Sequence, residues 1–220
     1  MEKLVVKIMG FKRIAVVGEI ASGKDTVATY FKEHQRITFG DPIKEIVKAV
    51  RTGGLSYATG FAMSMFKMED LAYHQLLGDI LFEVWSIPKK DSKDREAVQY
   101  LGTTMRKIYP DVWIDLALEK VVALGAAALI ITDCRKFNEL KALREIGFTM
   151  IYVDASTESR KRRAQLRDGL SEEDFLEASE REAERGIREL RPLCKYVVNN
   201  SADSLDDLYR QLTIIEGRNR

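Results

Sequence analysis

The chain has 220 residues, 45% hydrophobic and 31% charged, which is enough to bury a core within one compact domain. Its 35 basic and 34 acidic residues leave a net charge of +1, which excludes the basic surface typical of nucleic-acid-binding proteins. Two cysteines form no disulfide framework, no signal-peptide pattern is present, and no apolar run reaches the roughly 20 residues of a membrane span. We therefore expect a cytoplasmic protein, monomeric or homodimeric, that binds neither nucleic acid nor membranes.

Short runs of apolar, mostly β-branched residues alternate with amphipathic segments along the chain. Five of these runs are predicted strands, at Arg13–Val17, Arg36–Phe39, Ala128–Thr132, Phe148–Val153 and Tyr196–Val198. Strands this short and apolar, separated by helices, are typical of a mostly parallel sheet covered on both faces. The sequence therefore predicts a three-layer α/β fold around a five-stranded sheet.

The predicted helices have recognisable ends. One helix covers about 24–32, after a turn that contains glycine, and Asp41 caps the next one, with Pro42 at its first position. Gly147 is placed to end a helix in a left-handed C-cap, and Ser204 is placed to cap the last helix.

The stretch 51–93 interrupts the alternation of strands and helices. It begins with R-T-G-G-L-S-Y-A-T-G, which is predicted as a loop, continues as helix and ends in a charged loop. We interpret it as a helical insertion over one edge of the sheet. Residues 11–50 and 94–220 would then form the core of a single domain that covers 1–220.

The most informative motif follows the first strand directly. Residues 18–26 read G-E-I-A-S-G-K-D-T, a G-x4-G-K phosphate-binding loop with Asp after the lysine instead of Ser or Thr. Its glycines let backbone N–H groups turn toward phosphate oxygens, and the helix that begins at Lys24 adds the positive end of its dipole. The strand before and the helix after distinguish it from a chance glycine turn. The residues predicted to bind ATP phosphates are Gly18, Ala21, Ser22, Gly23, Lys24, Asp25 and Thr26.

Three residues with side-chain oxygens are candidate Mg²⁺ ligands. Asp25 stands where a hydroxyl usually binds the metal, and a carboxylate is also a good ligand, but Thr26 can serve instead. Asp133 ends the third strand, where a P-loop protein places a water-mediated ligand, although a plain helix N-cap explains it equally well.

Arg135 would lie at the carboxyl edge of the sheet, where open α/β folds bind ligands.

A cluster of arginines lies further along the chain, at R-K-R-R-A-Q-L-R. Arg160, Arg163 and Arg167 are spaced i, i+3, i+7 and share one helix face. A solvated helix that pairs with the acids after it is the commonest explanation of such a run. We favour a lid, at about 160–186, that brings guanidinium groups onto a transferring phosphate and excludes water.

Several short segments, in order along nearly the whole chain, resemble those of one enzyme family. They are S-G-K-D-T at 22–26, F-G-D-P-I-K at 39–44, Q-Y-L-G-T at 99–103 with Arg106 and P-D-V-W at 110–113, I-I-T-D-C-R-K-F-N-E at 130–139, and Y-V-V-N-N at 196–200. Together they resemble the deoxynucleoside monophosphate kinases of bacteriophages and their bacterial relatives, within the adenylate-kinase-like P-loop kinases. The segment 130–139 is the most specific part.

The resemblance implies transfer of the γ-phosphate of MgATP to a (deoxy)nucleoside monophosphate, with ATP and Mg²⁺ as cofactors. Lys24 and the lid residues Arg163 and Arg167 would be catalytic, and Asn199, with Asn200 beside it, would lie near the adenine. The residues that would bind the acceptor are Asp41, Lys44, Arg106, Trp113 and Arg135.

The local pattern leaves part of this assignment open. By itself, Arg106 is equally an ordinary surface residue, and Trp113 is equally a core or interface aromatic. The insertion 51–93, which would shape the acceptor pocket, has no counterpart in the resemblance, so the acceptor base is open.

Two other functions fit the sequence. A dephospho-CoA kinase, or another kinase of small metabolites, shares the loop, the lid and the asparagines near the C-terminus. A non-catalytic binding module gated by nucleotide belongs to a different class. The arginine cluster argues against such a module, because a protein that transfers nothing has little need to exclude water from a phosphate.

Overall fold

The computed structural model describes residues 12–90, 94–125, 127–180, 184, 186–202 and 204–218. The strands are β1 (Arg13–Val17), β2 (Gln35–Ile37), β3 (Leu129–Cys134), β4 (Thr149–Asp154) and β5 (Tyr196–Asn199). The helices are α1 (Lys24–Tyr30), α2 (Gly40–Phe66), α3 (Leu71–Ser86), α4 (Arg95–Ile108), α5 (Val112–Leu124), α6 (Phe137–Glu145), α7 (Thr157–Asp168), α8 (Glu172–Glu180) and α9 (Leu205–Gly217). A 3₁₀ helix covers Ile187–Leu193.

The five strands form one sheet in the order β2-β3-β1-β4-β5, and every neighbouring pair is parallel. This confirms the predicted α/β fold with a five-stranded parallel sheet. Val17 pairs with Cys134, and Asp154 pairs with Asn199, so the carboxyl ends of these strands lie along one edge. The chain leaves β1 toward one side of the sheet and leaves β3 toward the other, and ligands bind where the strand order reverses in this way.

The sheet is buried on both faces because its strands are apolar on both sides. On one face, strand residues pack against α1 and α9 in a cluster formed by Ile14, Val16, Val27, Phe31, Ile130, Ile151, Val153, Val198, Leu208, Leu212 and Ile215. Ala15, Ile131 and Tyr152 point to the other face and are equally buried. Since parallel crossovers are right-handed, α6 lies on that second face.

The chain forms two compact units. The first holds all five strands with α1 and α6–α9, and the second is Phe39–Ala123. In the second unit, α2, α3 and α4 pack against one another. The predicted insertion 51–93 falls within this unit, and its residues 91–93 lie outside the described part of the chain.

The predicted loop R-T-G-G-L-S-Y-A-T-G is wrong, because α2 continues through it to Phe66. Gly54 alone leaves helical geometry, with φ 76° and ψ 174°, and it kinks the helix. Beyond the kink, Ala58, Thr59 and Ala62 are buried. Packing of this face stabilises helix where the local glycines and hydroxyl residues disfavour it.

Asp41 is not an N-cap, which corrects a second prediction. Phe39 precedes α2 and already has helical φ and ψ, so Asp41 lies in the first turn. There its negative charge is favourable near the positive end of the helix dipole. Pro42 also lies in this first turn, where its missing N–H has no intrahelical partner to lose.

Other helix and strand ends fall close to their predicted positions. The C-cap at Gly147 is confirmed by its φ of 86°, and the N-cap at Ser204 is confirmed by its bond from the Asp207 N–H. The second strand ends two residues earlier than predicted, at Ile37. The alternative of Asp133 as a helix N-cap is wrong, because α6 begins only at Phe137. In the described ranges, every helix is too short or too polar to cross a membrane.

Candidate functional site

The loop between β1 and α1 is curled into a concave turn. Ala21 has φ 57° and Gly23 has φ 104°, so two loop residues adopt left-handed backbone conformations. Ser22 lies between them and donates its backbone N–H to the Glu19 carbonyl at 3.2 Å. Left-handed residues in such a turn direct successive N–H groups to the same side, which creates an anion-binding site. Ala21 and Gly23 therefore give the loop two left-handed residues in the segment that the sequence predicts to bind phosphates.

Two glycines of the loop are required by close contacts. A Cβ added at Gly18 would lie 2.6 Å from Ser22 Oγ and 2.8 Å from the Val153 carbonyl oxygen. A Cβ added at Gly23 would lie 2.2 Å from Asn200 Nδ2. All three distances are far inside van der Waals contact, so the loop can approach Val153 of β4 and Asn200 after β5 only because these two glycines have no side chain.

Lys24 begins α1, and its side chain folds back over the loop. Its Nζ donates to the carbonyl oxygens of Gly18 at 2.6 Å and of Glu19 at 2.7 Å. Because the ammonium has three donors, these two carbonyls hold it over the concave side of the loop while leaving one donor for an anion.

The pKa of Lys24 is lowered from its ordinary value to about 7. Burial of the ammonium is the largest cause, the positive charges of Arg135 and Arg167 act in the same direction, and Asp25 and Asp133 oppose them. These five predicted site residues thus interact electrostatically, although they come from the loop, the end of β3 and α7. Lys24, Arg135 and Arg167 thus place three cations near one another at the loop, as a site for a polyphosphate requires.

Asp25, a predicted magnesium ligand, is paired with cations in this structure. Its Oδ1 lies 2.5 Å from Arg36 Nη2, and its Oδ2 lies 3.9 Å from Arg167 Nη1. Its side chain is 62% exposed, so these pairs are screened and can exchange for a metal ion. The Thr26 hydroxyl lies on the same turn of α1, near Gly23.

The predicted face of α7 points toward the loop. Arg160 is buried, lies 3.2 Å from the Glu19 carboxylate and covers the ring of Phe175 at 5.6 Å. Arg163 Nη2 donates to the Asn200 carbonyl at 2.6 Å, and Arg167 interacts with Asp25.

The solvated-helix interpretation holds for another part of α7. Lys161 pairs with Glu172 of α8, which is one of the acids that follow the arginine cluster. The residues of the predicted lid at 181–183 and 185 lie outside the described part of the chain.

Glu19 is a functional candidate that the sequence analysis missed. Its Oε1 forms ion pairs with Arg160 Nη2 at 3.2 Å and with Arg188 Nε at 2.9 Å. Glu19 thus joins the loop to α7 and to the 3₁₀ helix. Residue 19 is a variable position of the loop motif, and both arginines are far away in the sequence. No local signal therefore marks this carboxylate.

The two asparagines at the end of β5, Asn199 in the strand and Asn200 after it, have different partners. The Asn199 side chain accepts the Ser201 N–H at 2.8 Å, and its backbone pairs with the amide of Gln211. Asn200 is buried, and its Nδ2 donates to the Ser22 carbonyl at 2.8 Å. Asn200 therefore contacts the loop directly, and Asn199 stays a predicted ATP-binding residue.

Arg135 is held at the carboxyl edge of the sheet from two sides. Its backbone N–H donates to Glu139 Oε2 at 2.7 Å, which fixes the turn before α6. Its guanidinium is paired with the carboxylate of Glu184, whose side chain is 92% buried. A phosphate that binds Arg135 must compete with this carboxylate or share the guanidinium with it.

The other predicted acceptor residues belong to the second unit. Lys44 Nζ lies 3.1 Å from Asp41 Oδ1 on the first turns of α2. Arg106 Nη1 donates to the Gly102 carbonyl at 3.3 Å, and Trp113 Nε1 donates to the same carbonyl at 3.1 Å. Trp113 is almost completely buried, so it is a core aromatic of this unit that supports the segment carrying Arg106.

Comparisons with known proteins support the fold. No protein-family model matches the chain, and no curated protein matches its sequence. A solved structure titled TT1252, from Thermus thermophilus, has a TM-score of 0.53 and 21% identity over 93% of this chain and 96% of its own. A dephospho-CoA kinase from Campylobacter jejuni has a TM-score of 0.46 and 17% identity over 94% of this chain and 97% of its own.

The likeness to the TT1252 structure shows the fold alone. The strand order 2-3-1-4-5, the parallel sheet and the loop after β1 define a parallel α/β fold with a G-x4-G-K loop after its first strand. At this sequence identity neither structure decides the substrate.

Proposed function

We propose that this protein is an ATP-dependent phosphotransferase whose acceptor is a small molecule that already carries a phosphate. The observation that carries the proposal is the position of Lys24, held over a concave loop at the carboxyl edge of the sheet. Arg135 and Arg167 lie close enough to lower its pKa. A site with several cations around a ring of backbone donors suits a reaction between two phosphate groups.

The loop fits the polyphosphate chain of ATP. The left-handed Ala21 and Gly23 turn backbone donors inward, and the loop has no room for a Cβ at Gly18 or Gly23. Mg²⁺ supplies charge neutralisation between the phosphates, and it usually takes one or two protein oxygens beside the phosphate oxygens. Thr26, Asp25 and Asp133 are the residues that would hold it. The assignment of Asn199 to the adenine rests on the sequence resemblance.

No strong base is required, because an acceptor phosphate is already anionic at neutral pH. Lys24, Arg163 and Arg167 would neutralise the charge that develops as the γ-phosphate transfers. Arg135 and Arg106 would bind the acceptor phosphate and reduce its repulsion with the donor, since a guanidinium can bind phosphate through two N–H groups. Positioning and electrostatics would account for most of the catalysis.

The acceptor we propose first is a (deoxy)nucleoside monophosphate, because segments 99–113 and 130–139 resemble those of the phage-type kinases. In the structure these segments carry Arg106 and Arg135, the two arginines assigned to the acceptor. Dephospho-CoA or another phosphorylated metabolite is the second acceptor within the same reaction class, and a binding module without transfer is the third possibility.

The test is ADP release from MgATP, measured with deoxynucleoside and ribonucleoside monophosphates, dephospho-CoA and phosphomevalonate in turn. Stimulation by one or a few nucleotides supports the first acceptor, and stimulation by dephospho-CoA alone supports the second. Turnover by none of them, with MgATP still bound, refutes the phosphotransferase and favours the binding module. Lys24→Ala should abolish transfer without unfolding the protein, while Lys67→Ala, which removes an exposed lysine paired with Glu119, should leave it unchanged.

A further inference from the structure

We propose that Asn200 is a positioning residue that sets the shape of the phosphate-binding loop and joins it to α7. The inference rests on the proposed function, because it gives the loop a support that matters only if the loop binds phosphates. Asn200 is buried, with 7% of its surface exposed, and its Nδ2 donates to the Ser22 carbonyl at 2.8 Å across 178 residues of sequence.

The amide of Asn200 lies against the loop at Ser22 and Gly23. It occupies the space beside Gly23, where a Cβ would come within 2.2 Å of Nδ2. Ser22 is also buried, so its carbonyl depends on this donor in place of water. Without the Asn200 amide, the buried Ser22 carbonyl has lost its hydrogen-bond donor. We expect the backbone of the loop to shift in response, so that its N–H groups lose their fixed orientation.

The backbone of Asn200 is anchored to two other elements. Its N–H donates to the Asp154 carbonyl at the end of β4, at 2.7 Å. Its carbonyl accepts Arg163 Nη2 at 2.6 Å. One residue thus contacts the loop with its side chain, the sheet with its N–H, and α7 with its carbonyl oxygen.

The residue after Asn200 strengthens the contact with α7. Ser201 Oγ accepts the Ser156 N–H at 3.0 Å, and the Ser201 carbonyl accepts the Ser159 hydroxyl at 2.6 Å. Both bonds fix the beginning of α7, and Arg163 extends from the next turn of the same helix. The position of Arg163 and the shape of the loop are therefore set by the same short segment after β5.

The role requires a donor at this position. Aspartate has nearly the same shape as asparagine, but a carboxylate has no donor for the Ser22 carbonyl and would place two acceptors together. Gln211 offers a matched control, because its Nε2 donates to the Asn199 carbonyl at the same distance of 2.8 Å without contacting the loop. Gln211→Glu removes this exposed bond together with a second one from Nε2 to the Asp207 carbonyl at 3.2 Å, and it adds the same charge as Asn200→Asp.

The experiment measures MgATP binding to the full chain by calorimetry for wild type, Asn200→Asp, Asn200→Ala and Gln211→Glu, with the melting temperature of each without nucleotide. Because Asn200→Ala adds no charge, it separates lost positioning from electrostatic repulsion. We expect both Asn200 variants to weaken MgATP binding at least about tenfold, and Gln211→Glu to stay within about twofold. For an active protein, kcat should also fall in both Asn200 variants, since the loop that would hold the transferring phosphate loses its bond from Asn200 Nδ2 to the Ser22 carbonyl.

Each other outcome decides against the inference or against the function. Asn200 variants that melt earlier but bind MgATP as wild type does would overturn the inference, because Asn200 would then be a structural residue only. If Asn200→Asp weakens MgATP binding and Asn200→Ala does not, the inference is also overturned, because repulsion between the new carboxylate and the nucleotide then explains the effect. A wild type that binds MgATP but transfers to no acceptor removes the proposed function and leaves this inference standing. A wild type that binds no MgATP overturns both.

Discussion

The ammonium nitrogen of Lys24 lies 2.6 Å from the carbonyl oxygen of Gly18, the residue that begins its own loop. A second carbonyl, that of Glu19, lies at 2.7 Å. These neutral acceptors stabilise the ammonium less than a phosphate would, and burial together with nearby arginines lowers its pKa to about 7. We therefore expect the protonation of Lys24 to change when a phosphate binds to the loop.

The first prediction concerns this proton. At about pH 8, one unit above the pKa of Lys24, most of the protein without nucleotide holds a neutral amine. Bound phosphate favours the ammonium and raises the pKa, so MgATP binding should take up close to one proton. Its affinity should consequently fall about tenfold for each unit of pH above 7. Calorimetry in buffers with different ionisation enthalpies measures the uptake.

The charged groups that act on the Lys24 ammonium are Arg135, Arg167, Asp25 and Asp133. Lys24→Met should abolish the uptake as well as weaken binding. Lys67→Met, at an exposed pair with Glu119, should retain it. Binding of MgATP to wild type without proton uptake would contradict the assignment of Lys24 to the phosphates.

The second prediction concerns Gly23. Gly23→Ala forces a Cβ into a left-handed residue and against Asn200 Nδ2, so the loop must open. We expect MgATP binding to weaken at least about tenfold and the free energy of unfolding to fall by more than the roughly 1–2 kcal/mol of backbone strain alone. Calorimetry and urea denaturation measure the two effects.

Gly147→Ala is the matched control for Gly23→Ala. Gly147 also has a positive φ, 86°, but no atom lies within 4 Å of the added Cβ. The Gly147→Ala variant should lose stability through backbone strain, and its affinity for MgATP should stay unchanged. Equal binding by both variants would mean that the close approach to Asn200 is not needed.

The third prediction concerns Trp113 and Arg106, which donate to the same carbonyl of Gly102. Trp113→Phe keeps an aromatic ring but removes one donor, and it should lower the free energy of unfolding by about 1–2 kcal/mol. If Arg106 binds the acceptor phosphate, the KM for the acceptor should rise while the KM for ATP stays unchanged. Steady-state kinetics with each substrate varied in turn make this distinction.

Trp85→Phe serves as the control for that substitution, since Trp85 is 53% exposed on α3. It should leave both KM values and the stability close to those of wild type. An unchanged acceptor KM in Trp113→Phe would assign the tryptophan to the core alone.

The fourth prediction concerns the ion pair of Arg51 and Asp94 in the second unit. Two bonds join the side chains, at 2.7 and 3.2 Å, and Arg51 also donates to the carbonyls of Trp85 and Ile87 at the end of α3. Arg51→Met leaves Asp94, whose side chain is 9% exposed, as a buried charge without this cation. We expect a loss of about 2–3 kcal/mol in the free energy of unfolding, somewhat below the value for a fully buried pair.

Tryptophan fluorescence follows this unfolding, because both tryptophans of the chain, Trp85 and Trp113, lie in the second unit. Lys67→Met removes a cation from an exposed pair and should cost less than about 0.5 kcal/mol. A loss for Arg51→Met as small as for this control would mean that the pair does not hold α2, α3 and α4 together.

Features of the fold that depend on neighbouring residues could be predicted from the sequence, and features that depend on tertiary packing could not. The motif at 18–26, the bounds of β1 and the C-cap at Gly147 were predictable because their signals lie within a few neighbouring residues. The predicted loop at 51–60 was wrong, because burial of Ala58 and Ala62 outweighs the local preference of glycine and serine for turns.

By itself, the sequence determined the order of the five strands, the G-x4-G-K motif after the first of them and the spacing that puts three arginines on one face of α7. Those features depend on backbone preferences and on the periods of strand and helix, which act over short distances. Only the tertiary structure decided that Glu19 receives Arg160 and Arg188, and that Asn200 supports Ser22. These contacts join residues more than a hundred positions apart, and they exist because a parallel sheet brings the carboxyl ends of distant strands to one edge.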